Sequence, residues 1–195
     1  MIASEAVKER VQIPLNPESL SAERIAYLDG LVHQARTAAA VFTQFNQEDV
    51  DRIVKAMVLA GLEQAQHLAR LAVEETKLGV MEDKVIKNMV ASEFVYNYVK
   101  DKRTVGIIRN LPERNLVEMA EPIGVLFSLT PITNPTSTVL FKCIMAIKTR
   151  NAVIFSPHPK ACLPRFPLPL TPDYEPRSTS VVSSGCTRIR RSRSS

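Results

Sequence analysis

The sequence predicts an incomplete α/β fold: several N-terminal helices, then the first strand–helix–strand unit of a parallel sheet, then a disordered tail. Three observations carry this. Apolar residues recur at helical spacing to about residue 100 and at strand spacing afterwards. Residues 124–129 and 152–155 are short apolar runs on either side of one helical pattern, the βαβ arrangement whose crossover is almost always right-handed. From 163 to 195 proline, serine and arginine dominate and periodicity is lost.

Residues 1–20, punctuated by Pro14 and Pro17, read as a leader. Ser21 is placed to cap a helix over 22–42, with Ile25, Leu28, Val32, Ala35 and Ala39 as its apolar stripe. Asn46, with Asp49 three residues on, starts a second helix that carries Val50, Ile53, Val54, Met57 and Val58. A third, over 64–76, stops near Gly79, since glycine readily takes the left-handed conformation that ends helices. A fourth, over 82–100, places Ile86, Val90, Phe94 and Tyr98 on one face and leaves Glu82, Asp83, Lys84 and Lys87 as a solvated one. Residues 104–109 and 115–120 flank 110–114 and predict a hairpin. Beyond Pro122, the unbroken apolar run 124–129 reads as a strand buried on both faces. The helix over 136–148 has Val139, Leu140, Cys143, Ile144 and Ile147 as its buried stripe, and 152–155 is the next strand. A parallel pair of this kind needs further strands and helices on both faces, which this sequence is expected not to supply.

A chain of 195 residues suits one ordinary domain. The net charge of +5 is unevenly placed, because the tail holds six arginines, one aspartate and one glutamate. The basic character therefore belongs to 163–195 and is poor evidence for a nucleic-acid-binding fold. Arg188, Arg190, Arg191 and Arg193 stand among serines with no aromatic residue for base stacking, so no specific nucleic-acid partner is expected. The three cysteines, Cys143, Cys162 and Cys186, show no metal-ligand spacing and no pairing framework, so no metal is expected. The N-terminus has acidic residues and no apolar centre, and no run approaches the ~20 residues of a membrane span. A cytoplasmic location follows, with a short organellar presequence ending before Pro14 as the alternative.

Ligands of open α/β sheets bind beyond the carboxyl ends of the strands. Two segments fall there: Thr130, Pro131, Ile132, Thr133, Asn134 and Pro135 after the first strand, and Ser156, Pro157, His158 and Pro159 after the second. Asn134 has two readings, a helix cap or a carboxamide donor to a developing oxyanion. Ser156 and His158 read either as a surface turn or as contacts to a ribose or phosphate. Lys142 reads as a lysine snorkelling from an apolar stripe, and Cys143 as core filler. No glycine-rich phosphate loop and no Ser-His-Asp set is present.

Five runs carry a resemblance: Thr76-Lys-Leu-Gly-Val-Met-Glu-Asp-Lys-Val-Ile-Lys-Asn88, Ala91-Ser-Glu-Phe-Val-Tyr96, Ala120-Glu-Pro-Ile-Gly124, Thr133-Asn-Pro-Thr-Ser-Thr138 and Lys148-Thr-Arg-Asn-Ala-Val-Ile-Phe-Ser-Pro-His-Pro159. Over about 22–162 the chain resembles the CoA-acylating branch of the aldehyde dehydrogenase superfamily, most of all the N-terminal half of its bifunctional aldehyde-alcohol dehydrogenases. The resemblance implies a variant Rossmann domain that binds NAD, a cysteine that takes up the aldehyde, hydride transfer to NAD, and transfer of the acyl group to coenzyme A. It makes Asn134 an oxyanion donor and places Lys142, less specifically, near the active site. Thr130, Pro131, Ile132 and Thr133 would lie along the nicotinamide, and Ser156, Pro157, His158 and Pro159 against the adenosine ribose. The substrate would be a small aldehyde or acyl-CoA, and the 104–120 hairpin would begin a sheet used for homo-oligomerisation.

The same resemblance sets the departures. The family's nucleophilic cysteine belongs to a separate catalytic domain further on, and Cys143, Cys162 and Cys186 do not match it. Residues 21–162 are thus expected to be a truncated NAD-binding domain, inactive alone. The prolines after 162 replace an expected long helix, so 163–195 reads as out-of-frame translation, with an alternatively spliced disordered tail as the rival. A non-catalytic fragment that joins a full-length oligomer is the alternative function.

Overall fold

The structure, a computed structural model, describes residues 21–158, Ala161 and 181–183. The expected leader, Pro159, Cys162, Cys186 and most of the tail lie outside the described residues.

Both capping expectations hold. α1 (Ala22–Phe42) starts on Ser21, whose hydroxyl accepts the Arg24 N–H at 3.4 Å. α2 (Gln47–Glu63) starts on Asn46, whose Oδ1 accepts the Asp49 N–H at 2.9 Å. α3 (Ala65–Thr76) is ended by Lys77 rather than by a glycine, with φ of 57°. Gly79 follows with φ of 78°, and a Cβ added there would come 3.3 Å from Lys84 Cε. α4 (Met81–Met89) continues through one π turn (Val90–Phe94) into α5 (Val95–Val99). β1 (Gly106–Leu111) and β2 (Leu116–Ala120) form the antiparallel hairpin, joined through a 3₁₀ turn at Pro112–Arg114.

β3 (Val125–Thr130), α6 (Pro135–Lys148) and β4 (Ala152–Pro157) are the predicted βαβ unit, with β3 and β4 parallel in register from Val125–Ala152 to Thr130–Pro157. β5 (Val181–Ser183) lies parallel on the other side of β4, giving the order β3-β4-β5. A third parallel strand thus stands beside the βαβ pair, where the sequence is expected to supply none. Side chains alternate across the sheet as strand geometry requires. Val153, Phe155 and Leu126 pack with α2 and the Cys143–Ile144–Ile147 stripe of α6, while Ala152, Ile154 and Val125 pack with Ala35 and Ala39 of α1. Helices therefore cover both faces of β4.

Three further expectations are corrected. In α1 the buried residues are Leu31, Ala35, Ala39 and Phe42; Ile25, Leu28 and Val32 are exposed, and it is Ala35 and Ala39, in the second half of the helix, that pack on the sheet. β3 is not buried on both faces: it is an edge strand, and Phe127 and Leu129 extend past the part covered by α1, at 68% and 67% exposure. The helical stretch from α4 to α5 is turned the other way from its apolar pattern. Ile86, Val90, Phe94 and Tyr98 face solvent, and Lys84, Asn88, Ser92 and Val99 are buried. Hydrogen bonds explain the inversion. Asn88 Nδ2 donates to the Ala65 carbonyl at 2.9 Å, and its Oδ1 accepts from Thr136 Oγ1 at 2.8 Å. One buried carboxamide thus ties α4 to α3 and to the first turn of α6. With both ends of the carboxamide bonded, Asn88 is buried without the penalty of an unpaired polar group.

Candidate functional site

The parallel register brings both candidate segments to one rim of the sheet. β3 and β4 end side by side at Thr130 and Pro157, and the His158 N–H donates to the Thr130 carbonyl at 3.1 Å. Residues 131–134 and 156–158 are therefore adjacent. The Ala161 N–H closes the second segment on the His158 carbonyl at 2.8 Å. Pro131, Thr133 and His158 are exposed; Ile132, Asn134, Ser156 and Pro157 are half-buried.

Thr130 is buried on the α6 side of β3, as is Ser128, and neither hydroxyl has a protein hydrogen-bond partner. Such orphaned groups are uncommon in native interiors. Pro135 starts α6, where its missing N–H costs nothing.

Asn134 occupies the N-cap position of α6 but does not cap it, since its side chain makes no bond to a helix N–H. Its Oδ1 instead accepts from Lys87 Nζ at 3.1 Å, and its Nδ2 points to Thr133 Oγ1 at 3.4 Å. Lys84 Nζ donates to the Thr133 carbonyl at 2.8 Å. Burial first, and then the neighbouring Lys87 ammonium, push the Lys84 pKa down. Two lysines of α4 thus hold the residues just before α6. The sequence reading placed both on a solvated face, which holds for exposed Lys87 but not for Lys84 at 5% exposure. The signal was present in the i, i+4 pair Lys84 and Asn88, polar groups that share one side of a helix.

Lys142 is half-buried, with Nζ donating to the Leu129 carbonyl at 2.8 Å. It satisfies an acceptor on the open edge of β3 and faces the same strand end. Cys143 is fully buried and free, and burial pushes its thiol up to about 12. It cannot supply a thiolate near neutral pH. Among the described residues no group of three or more His, Cys, Asp or Glu side chains is placed to hold a metal, and no helix is long and apolar enough to cross a membrane. An open groove of about 440 Å³ between α1 and 122–125, lined by Arg36, Ala39, Thr43 and Ile123, lies by the start of β3, the opposite end from these loops.

Residues 19–166 match the family described as "Aldehyde dehydrogenase family". The bifunctional aldehyde-alcohol dehydrogenase of Escherichia coli K12 is 44% identical over 142 residues, which is 73% of this chain and 16% of that protein. The succinate-semialdehyde dehydrogenase (acetylating) of Clostridium kluyveri is 47% identical over 131 residues, 67% of this chain and 29% of that protein. Among solved structures, an acetylating aldehyde dehydrogenase from Geobacillus thermoglucosidasius superposes with a TM-score of 0.69 at 45% identity, covering 71% of this chain and 30% of that one. The chain spans between about a sixth and a third of the length of these relatives.

Proposed function

The chain belongs to the aldehyde dehydrogenase family, and on that premise we propose that it carries the cofactor-side segment of an NAD-dependent, CoA-acylating dehydrogenase acting on a small aldehyde. The observation that carries this is the joining of the two strand ends through Thr130 and His158, which gathers every described candidate residue of the two loops on one rim. The acetylating chemistry named for its relatives gives the reaction class.

Thr130, Pro131, Ile132 and Thr133 lie along the nicotinamide on this reading, and Ser156, Pro157 and His158, with Pro159 after them, meet the adenosine ribose. Exposed hydroxyl, imidazole and backbone groups at strand ends suit a ligand of sugar hydroxyls and an amide. The bound nicotinamide supplies the hydride acceptor. Asn134 Nδ2 donates to the oxygen that gains negative charge. Lys142, beside the same strand end, is the weaker second candidate.

Cys143 is not the nucleophile, because a buried thiol with a pKa of about 12 stays protonated. We therefore assign that role to a cysteine other than Cys143, and on this reading residues 21–158 do not complete the reaction alone. Adding NAD to the ¹⁵N-labelled chain should shift amides at 130–134 and 156–158, more than NADP does, with no NADH formed from acetaldehyde and CoA. Shifts scattered elsewhere would remove the cofactor reading, and CoA-dependent NADH formation would remove the inactive one.

A second reading, a non-catalytic chain that joins a full-length oligomer, is favoured by the β1–β2 hairpin. Ile107, Val117 and Met119 are exposed there, and the described hairpin has no third strand. Co-purification with a full-length acylating dehydrogenase supports it; a hairpin variant, Val117→Lys, that binds as well counts against it.

A further inference from the structure

We infer that Lys87 is a positioning residue that fixes which end of the Asn134 carboxamide is presented to a ligand. The inference rests on the proposed role of Asn134 and deepens it. An ammonium carries three donors and no acceptor, so the group that faces Lys87 Nζ at 3.1 Å must be the amide oxygen. With Oδ1 held there, the NH2 end is turned the other way. One of its protons goes to Thr133 Oγ1 at the long distance of 3.4 Å, and the other is left to donate.

The default conformation of this residue is different. An asparagine at an N-cap normally turns its oxygen onto the N–H of the second or third helical residue, here Thr136 or Ser137. That arrangement hides the oxygen against the helix and makes Asn134 an ordinary cap. The side chain makes no such bond. Lys87 competes with α6 for the same oxygen, and the Lys84 bond to the Thr133 carbonyl holds the preceding peptide while it does so. A helix cap is thereby given up so that a donor can be shown.

The test reads orientation, not turnover. In the ¹⁵N-labelled full chain, the Asn134 side-chain NH2 pair is assigned by its loss in Asn134→Asp. Lys87 is exposed, so Lys87→Met leaves the fold intact. In Lys87→Met the oxygen should move to the helix: the Asn134 NH2 resonances shift, and exchange of the Thr136 or Ser137 amide slows by roughly tenfold as it gains the cap bond. Lys87→Arg, which keeps a donor in reach, should retain the wild-type signature. Unchanged NH2 resonances and unchanged Thr136 and Ser137 exchange in Lys87→Met would overturn the inference, as would a wild-type chain whose Ser137 amide is already protected. If Lys87 behaves as stated yet Asn134→Ala in the complete enzyme keeps full turnover, only the oxyanion role falls.

Discussion

Lys148, at the last residue of α6, places its ammonium on the Asp51 carboxylate of α2, with the lysine side chain 2% exposed and the aspartate 40%. The same ammonium donates to the Lys100 carbonyl at 3.3 Å, and the Lys148 carbonyl accepts from Thr104 Oγ1. The end of α6 is therefore the point at which α2, the end of α5 and the approach to β1 are tied together.

Because the two charges are unequally buried, the two single substitutions are not equivalent. Asp51→Ala leaves a buried ammonium without its counter-ion and should cost about 1–3 kcal/mol, reduced from the range of fully buried pairs by the solvent around Asp51. Lys148→Met removes the charge and keeps the volume, and should cost less. Urea unfolding of both variants checks the order; an equal or reversed cost would show that packing, not the unpaired charge, dominates.

Gln47, one turn before Asp51 on α2 and donating to its carboxylate at 3.0 Å, holds the same segment. Its Oε1 accepts the N–H groups of Thr104 at 2.8 Å and Val105 at 3.1 Å. Gln47→Ala should destabilise the chain by about 1–2 kcal/mol and speed exchange of those two amides together. Unchanged exchange there would mean that water or another group replaces the carboxamide.

Gly61 sits where α2 touches two partners. A Cβ at this position would lie 2.8 Å from Ser92 Oγ and 3.0 Å from Leu140 Cδ2. Ser92 is fully buried on the π turn and Leu140 lies in the core, so neither is free to retreat. Gly61→Ala should lower stability by about 1–3 kcal/mol despite alanine's higher helix propensity. A raised melting temperature would show that the helices separate more easily than their contacts imply.

Where the inner face of an element is apolar, the sequence made it legible. The α6 stripe, the βαβ order and the caps Ser21 and Asn46 follow from spacing and from side chains that bond their own backbone. The α4–α5 face is not legible from apolar spacing, because its attachment is made by Lys84 and Asn88, groups that periodicity assigns to solvent. The candidate loops were legible as strand ends, yet their cohesion was not. It depends on register, which sets Thr130 opposite Pro157, and on Lys87, which comes from 47 residues away to take the oxygen of Asn134. The Lys148–Asn151 run shows the same limit. Arg150, at φ of 56°, donates to the Thr43 carbonyl at 2.7 Å, and Asn151 Oδ1 accepts the Gly124 N–H at 2.8 Å. A motif legible only as family likeness thus holds the end of α1 and the start of β3 in place.

Cys143 gives a chemical prediction with a definite sign. Burial raises its pKa from 9.0 to about 12, so below pH 9 it is a thiol in both the folded and unfolded chain. Between 9 and 12 the unfolded chain releases the proton and the folded one keeps it, so stability falls as pH rises through that window. Iodoacetamide should leave the Cys143 peptide unmodified in the native chain and modify it in urea. Rapid native alkylation would mean that the helical layer over Cys143 opens readily.

Lys84 predicts the opposite slope. Its pKa is lowered from 10.5, by burial first and by Lys87 second, so the folded chain gives up this proton before the unfolded one. In the window below 10.5 the unfolded chain holds more protons, and stability rises with pH; below that window the burden of the buried ammonium is present in full. Lys84→Met carries no proton there, while Cys143 contributes equally to both proteins and cancels in their difference. The unfolding free energy of the wild type relative to Lys84→Met should therefore increase as pH is raised toward 10.5. Lys87→Met removes one of the two causes and should shift that rise to higher pH. A difference that stays flat would show that the Thr133 carbonyl, 2.8 Å from Nζ, holds Lys84 fully protonated against its burial.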